Sequence, residues 1–180
     1  LNALTNINKI DPADLAVISA TSLNKLTSAQ LANLSTAQAN ALTASQIKAL
    51  STVQISQLEA ADVGALNSSA ISNLSTAQLV ALTTAQARQM TSEQVVALSA
   101  TQLSAMEGAD LAALTTSSQQ ALSQSQLSKL SSSQLAGMTG LSSAQATGGT
   151  YSIMSSAEIR GISTTAFAAL TSTQIAGFLP

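Results

Sequence analysis

Apolar residues return at every eighth position along nearly the whole chain. Counting in eights from Ile10 to Phe178 passes 22 positions, of which 21 hold Leu, Ile, Met or Phe and one holds Ala146. The polar positions keep the same beat. The next residue is Ser or Thr in 17 of 21 octads, and Asp11 and Asn67 raise the helix-capping types to 19. Three positions further on stands Gln, Asp or Glu in 15 of 21 octads, followed directly by a second apolar residue in 19 of 21. The stretch Leu26-Thr27-Ser28-Ala29-Gln30-Leu31-Ala32-Asn33-Leu34 carries every part of the unit.

Each octad therefore predicts one helix start. Ser/Thr-x-x-Gln is a capping box, in which the hydroxyl accepts from the third helical amide and the Gln side chain reaches back to the cap amide. The apolar residues on either side of the box are the partners of a hydrophobic staple. Asp11-Pro12-Ala13-Asp14 fits as well, with proline at the first helical position, where its missing N–H is harmless. A new cap every eight residues ends the preceding helix, leaving about six helical and two extended residues per octad. Helices are expected to start at Thr27, Ser35, Thr43, Ser51, Ser75 and Thr83, each closed by the Gln three residues on.

Other periodic structures fit less well. A continuous helix turns about 100° per residue, so a spacing of eight drifts by about 80° each time and makes no stripe. Coiled coils need sevens or elevens. In a strand the two apolar positions, five and then three apart, fall on opposite faces. The fold class is thus all-α, a solenoid of one-turn capped helices, with a β-solenoid as the alternative because Thr and Ile are frequent. One-turn helices are unstable alone and must stack on neighbours. An octad has a contour of about 15 Å, so either two or three octads would complete one coil around a thin leucine core.

A slower period overlies the first. Acidic pairs at Asp11/Asp14, Glu59/Asp62 and Glu107/Asp110, continued by Glu158, recur every 48 residues. The octads after them lack the usual Gln, with Ser22, Ala70, Ser118 and Ala166 in its place. Duplication of a 48-residue block explains this, and so would a row of acidic octads on one side of the rod. Residues 1–180 read as a single repeat domain, with regular octads over 10–138, an irregular segment over 139–153 and C-terminal octads over 154–180. In the irregular segment Leu141-Ser142-Ser143-Ala144-Gln145-Ala146 opens an octad shifted by three, and Thr147-Gly148-Gly149-Thr150 reads as a loop carrying Tyr151. Phe167 and Phe178 are placed to close the core as an end cap.

Composition narrows the chemistry. Only 8% of the 180 residues are charged and 2% aromatic, the net charge is −2, and His and Cys are absent. Ser-His and Cys-His triads are thereby excluded, as is a disulfide framework. The carboxylates at i and i+3 suit the positive end of a helix dipole. As oxygen donors, Glu59, Asp62, Glu107 and Asp110 are the only candidates for calcium, and no metal, cofactor or catalytic residue is expected. Lys48, Arg88, Glu93, Lys129 and Arg160 read as solvated positions. No run of 18 apolar residues exists to span a membrane. A start at Leu1 points to a processed chain or a piece of a longer one.

Two resemblances bear on function. Met90-Thr91-Ser92-Glu93-Gln94-Val95-Val96-Ala97-Leu98 resembles the helix opening of transcription-activator-like effector repeats. That family has a longer repeat with a base-reading loop, and six basic against eight acidic residues leave no phosphate track, so no nucleic-acid partner is expected. Over residues 10–178, octads such as Leu42-Thr43-Ala44-Ser45-Gln46-Ile47-Lys48-Ala49-Leu50 resemble tracts of very large bacterial secreted or surface proteins of the adhesin-like kind. This resemblance implies an exported, non-enzymatic stalk or fibre, extracellular or on the cell surface. Its partners would be copies of itself, joined end to end through residues 1–10 and 167–180 or side by side, and a surface or carbohydrate contact. The alternative is a repeat binding module that presents Ser/Thr rows to carbohydrate, protein or ice.

Overall fold

The computed structural model describes residues 4–142 together with Gln145, Ser172 and Ile175. The chain divides into two compact units, Leu1–Met90 and Thr91–Pro180. The first opens with a 3-10 turn at Leu4–Lys9. It continues with α1 (Pro12–Val17), α2 (Ala20–Leu23), α3 (Ser28–Ala32), α4 (Thr36–Ala41) and α5 (Ala44–Ala49). Next come α6 (Thr52–Ser56), α7 (Ala60–Ala65), α8 (Ser68–Ser72), α9 (Thr76–Val80) and α10 (Thr84–Gln89). The second unit holds α11 (Ser92–Ala97), α12 (Ala100–Ala105), α13 (Gly108–Ala113), α14 (Thr116–Gln120), α15 (Gln124–Leu127) and α16 (Ser132–Gly137). Among the described residues every regular element is a short helix, so the all-α solenoid stands and the β-solenoid alternative falls.

All six expected caps are present. Thr27, Ser35, Thr43, Ser51, Ser75 and Thr83 have extended backbones, and each closes a complete capping box with the Gln three residues on. The helices end where they do because the next apolar residue returns to an extended conformation, as at Leu42 (φ −60°, ψ 130°) and Leu50 (φ −67°, ψ 142°). That residue is buried, as is the one after the Gln, so both staple positions form the core. Leu42, Ile47, Leu50, Ile55, Leu58, Leu74, Leu79 and Leu82 are all at most 5% exposed.

Three octads make one coil. In the first unit α1 packs on α4, α4 on α7 and α7 on α10, while α2 packs on α5 and α5 on α8, and α3 on α6 and α6 on α9. In the second unit α11 packs on α14, α12 on α15 and α13 on α16. Within each unit a helix thus stacks on the one three octads, or 24 residues, before it. The approach is close where the side chains are small. A Cβ built on Gly64 in α7 would lie 2.7 Å from the carbonyl oxygen of Gln89, so only glycine fits there without moving α10.

The irregular segment opens with a shortened octad. Ser142 and Gln145 form the expected box, with Ser142 N–H donating to Gln145 Oε1 at 2.9 Å and Gln145 N–H to Ser142 Oγ at 3.3 Å. The octad that begins at Met138 is cut to three residues before Leu141 begins the next. Tyr151, Phe167, Phe178, Glu158, Ala166 and Arg160, with most of the expected end faces at 1–10 and 167–180, lie outside the described residues.

Candidate functional site

The feature that joins coil to coil is the box glutamine, which does two jobs. Gln46 Oε1 accepts from the Thr43 amide at 2.8 Å, completing the helix cap. Its Nε2 donates to the carbonyls of Leu15 and Ile18, both at 2.8 Å, at the C-terminal end of α1. Helix C-termini leave such carbonyls without intrahelical partners, and here the previous coil receives its cap from the next. The arrangement repeats. Gln38 donates to Ile7 and Ile10, Gln54 to Asn24 and Leu26, Gln78 to Ile47 and Leu50, and Gln86 to Ile55 and Leu58. In the second unit Gln126 donates to Val95 and Leu98, and Gln134 to Ser104 and Met106. All of these glutamines are at most 8% exposed. Within each unit the result is a ladder of buried amides that ties these helix starts to helix ends in the coil before them.

Sequence reasoning missed this second job, although a signal was present. A capping box accepts Glu as readily as Gln, yet the box position holds Gln in 11 octads and Glu only at 158. A carboxylate can accept from the cap amide but has no hydrogen to give to a carbonyl.

Two of the octads without a box Gln are repaired by other residues. Ala70 stands where Gln would be in α8, and the cap residue there is Asn67. Asn67 Oδ1 accepts from the Ala70 amide at 2.9 Å, while its Nδ2 donates to the carbonyls of Asn40 and Leu42 at 2.9 Å each. One asparagine replaces the Ser/Thr and the Gln together. Asn67→Ser should keep the cap and lose both donors, lowering stability by roughly 1–2 kcal/mol. Adding Ala70→Gln should restore it. Denaturant unfolding of the single and double variants checks this, and a double variant no more stable than the single would refute the repair.

The second repair serves the shortened octad. Gln119 occupies an apolar slot yet is only 2% exposed. Its Nε2 donates to the carbonyls of Leu111 and Leu114, at 3.3 and 3.1 Å. These lie 31 and 28 positions before Ser142, the usual reach of a box Gln. Its Oε1 accepts from the Gly140 amide at 2.7 Å. A Cβ at Gly140 would meet that Oε1 at 2.8 Å and Thr116 Cα at 3.0 Å, so the bridge requires glycine. Gln145 then resumes the ladder, donating to Gln119 and Leu122, 26 and 23 positions back. The reach is five residues shorter than usual, which is the length the truncated octad has lost.

The acidic octads depart from the ladder. Within the first unit α1 and α7 both pack on α4, so Asp11/Asp14 and Glu59/Asp62 lie on one side of the coil with a neutral octad between them. Asp11 caps α1, its Oδ1 accepting from the Ala13 amide at 2.9 Å, and Asp14 is exposed. Glu59 and Glu107 take the cap positions of α7 and α13 without a side-chain cap bond, and both are exposed. Asp62 and Asp110 occupy the glutamine position and are 2% and 3% exposed. Asp62 Oδ2 is buried with no hydrogen-bond partner. Burial, and then the negative charge of Glu59, push the Asp62 carboxyl up from 3.8 to about 6. Among the described residues no three carboxylates gather as a metal centre would need, so the four calcium candidates stand as two separate pairs.

Lys48, Arg88, Glu93 and Lys129 are exposed. A groove of about 320 Å³ between α7 and α10 is lined by Ala60, Thr84, Ala85, Arg88 and Gln89. It brings one charged side chain, Arg88, and the amide of Gln89 to a wall otherwise made of Ala60, Thr84 and Ala85. Among the described residues no helix is long and apolar enough to cross a membrane.

Comparison with known families agrees with the repeat. The family model described as the ALTTAQ repeat matches residues 7–44, 23–52 and 55–92. The last of these contains Ala81-Leu82-Thr83-Thr84-Ala85-Gln86, the motif itself. No curated protein matches the chain. The chain is a repeat protein built of short helices.

Proposed function

We propose that this repeat protein is structural material: a non-enzymatic subunit or segment of an extracellular bacterial fibre, or the stalk of a surface adhesin, that associates with copies of itself. The observation that supports this reading is the directionality of the glutamine ladder. Each coil turns amide donors toward the coil before it and helix-end carbonyls toward the coil after it. Surfaces related in this way are complementary head to tail, and a head-to-tail contact that does not close into a ring grows into a filament. The low charge leaves little repulsion to oppose it. The Ser/Thr rows that a binding module would present are largely occupied, because the cap hydroxyls already accept from the backbone.

Sedimentation velocity of the full chain over a wide concentration range tests the reading, with electron microscopy of the native material beside it. The expected result is mass that rises with concentration and thin filaments of uniform width. A monomer at every concentration would overturn self-association and leave a stalk segment or the binding module acting on carbohydrate, protein or ice.

A further inference from the structure

We propose that the octad of α7 is a proton-operated joint between coils: a proton on Asp62 supplies the hydrogen-bond donor that glutamine supplies in the regular octads. The argument begins with the register. Box residues donate to carbonyls 28 and 30–31 positions back, as Gln38 does to Ile10 and Ile7 and Gln86 does to Leu58 and Ile55. The same register directs residue 62 toward the carbonyls of Leu34 and Leu31, at the end of α3. An ionised carboxylate brings only acceptors to that place. Asp62 Oδ2 is buried and unpartnered. In its protonated form the same group carries an O–H that donates to a carbonyl, and the negative charge that burial penalises is gone.

The surroundings leave the proton as the natural partner. The helices that pack most on α7 are α4, which has no charged residue, and α10, whose only charged side chain is the exposed Arg88, and α3, toward whose end the register directs Asp62, has none. The adjoining α6 and α8 carry none. On its own helix start Asp62 faces Glu59, which adds repulsion. Burial and Glu59 together place the carboxyl at about 6. A carboxyl raised in the folded state above its unfolded value binds its proton more tightly when folded. Stability contributed by that proton is therefore lost as the pH rises through about 6 and regained as it falls toward 4. With no histidine or cysteine in the chain, no other side-chain type ordinarily changes charge between pH 5 and 8. The joint would tighten in mildly acidic surroundings and loosen in neutral ones.

The test uses the full chain. Carboxyl-carbon NMR follows the titration of Asp62, and amide hydrogen exchange of residues 59–66 is measured from pH 4.5 to 8. The expected result is an Asp62 midpoint near 6, with the protection of the α7 amides, corrected for the intrinsic pH dependence of exchange, rising several-fold below it. Asp62→Asn should abolish the pH dependence, and Asp62→Gln should make α7 as protected at pH 8 as the wild type is at pH 5. Glu59→Gln should move the midpoint down. An Asp62 midpoint near 4, or an unchanged exchange profile in both Asp62 variants, would overturn the proposal. A saturable slowing of exchange on adding calcium chloride at pH 7.5 would also overturn it, assigning the position to a cation.

Discussion

Gln86→Glu should destabilise the first unit by about 3–5 kcal/mol at pH 8. The substitution changes one NH2 to an oxygen and leaves the shape of the side chain almost intact. It removes two donated bonds, to Ile55 at 2.9 Å and Leu58 at 2.7 Å, worth about 1 kcal/mol each. It also sets a negative charge against those two carbonyl oxygens at a side chain 2% exposed, and an uncompensated buried charge costs at least a further 1–3 kcal/mol. The cap amide of Thr83 still finds an acceptor, so a role confined to capping would leave stability nearly unchanged. Denaturant unfolding at pH 8, with hydrogen exchange to locate the loss, separates the two. A variant as stable as the wild type would show that the ladder contributes nothing.

Leu82→Asn should cost a similar amount, about 3–5 kcal/mol, by a different route. Leu82 is 5% exposed. Its replacement forfeits about 1.5–3 kcal/mol of apolar burial and places an amide in a core with no partner for it, at about 1–3 kcal/mol. Val80, two residues away and 44% exposed, is the control, and Val80→Asn should stay within about 0.5 kcal/mol of wild type. Equal melting curves for wild type and Leu82→Asn would remove the leucine row from the core.

The helices and their limits were legible from the chain because everything that fixes them is local. Thr43, Gln46, Leu42 and Ile47 sit within six residues of one another, and a cap with its staple needs nothing more. The perimeter of the coil was not legible. Two or three octads satisfy the same local rules, and the 48-residue acidic period divides evenly by both. The choice depends on which helices touch, and the one side chain that reports it had already been assigned a role. Gln46 satisfied the capping box so fully that its second nitrogen was left out of account. Asn67 and Gln119 were read incompletely for a related reason. Asn67 was counted only as the cap it is, and Gln119, a polar residue in an apolar slot, drew no reading. Both restore donors that their own stretch of chain would otherwise lack. The acidic positions divided in the same manner: Asp11 acts as a helix-start acceptor, as its place in the octad suggests, whereas the burial of Asp62 follows from the coil above and below it.

The reach of the ladder has a consequence for growth. Regular box glutamines bind no farther than 31 positions back, so contact order stays fixed in residues and falls as a fraction of length when coils are added. Folding speed follows that fraction rather than size alone. A nucleus of two neighbouring coils can form anywhere and extend in either direction by repeating one step. Lengthening such a chain creates no new kind of encounter for it to search out, which makes length the one dimension this architecture can change without altering anything else.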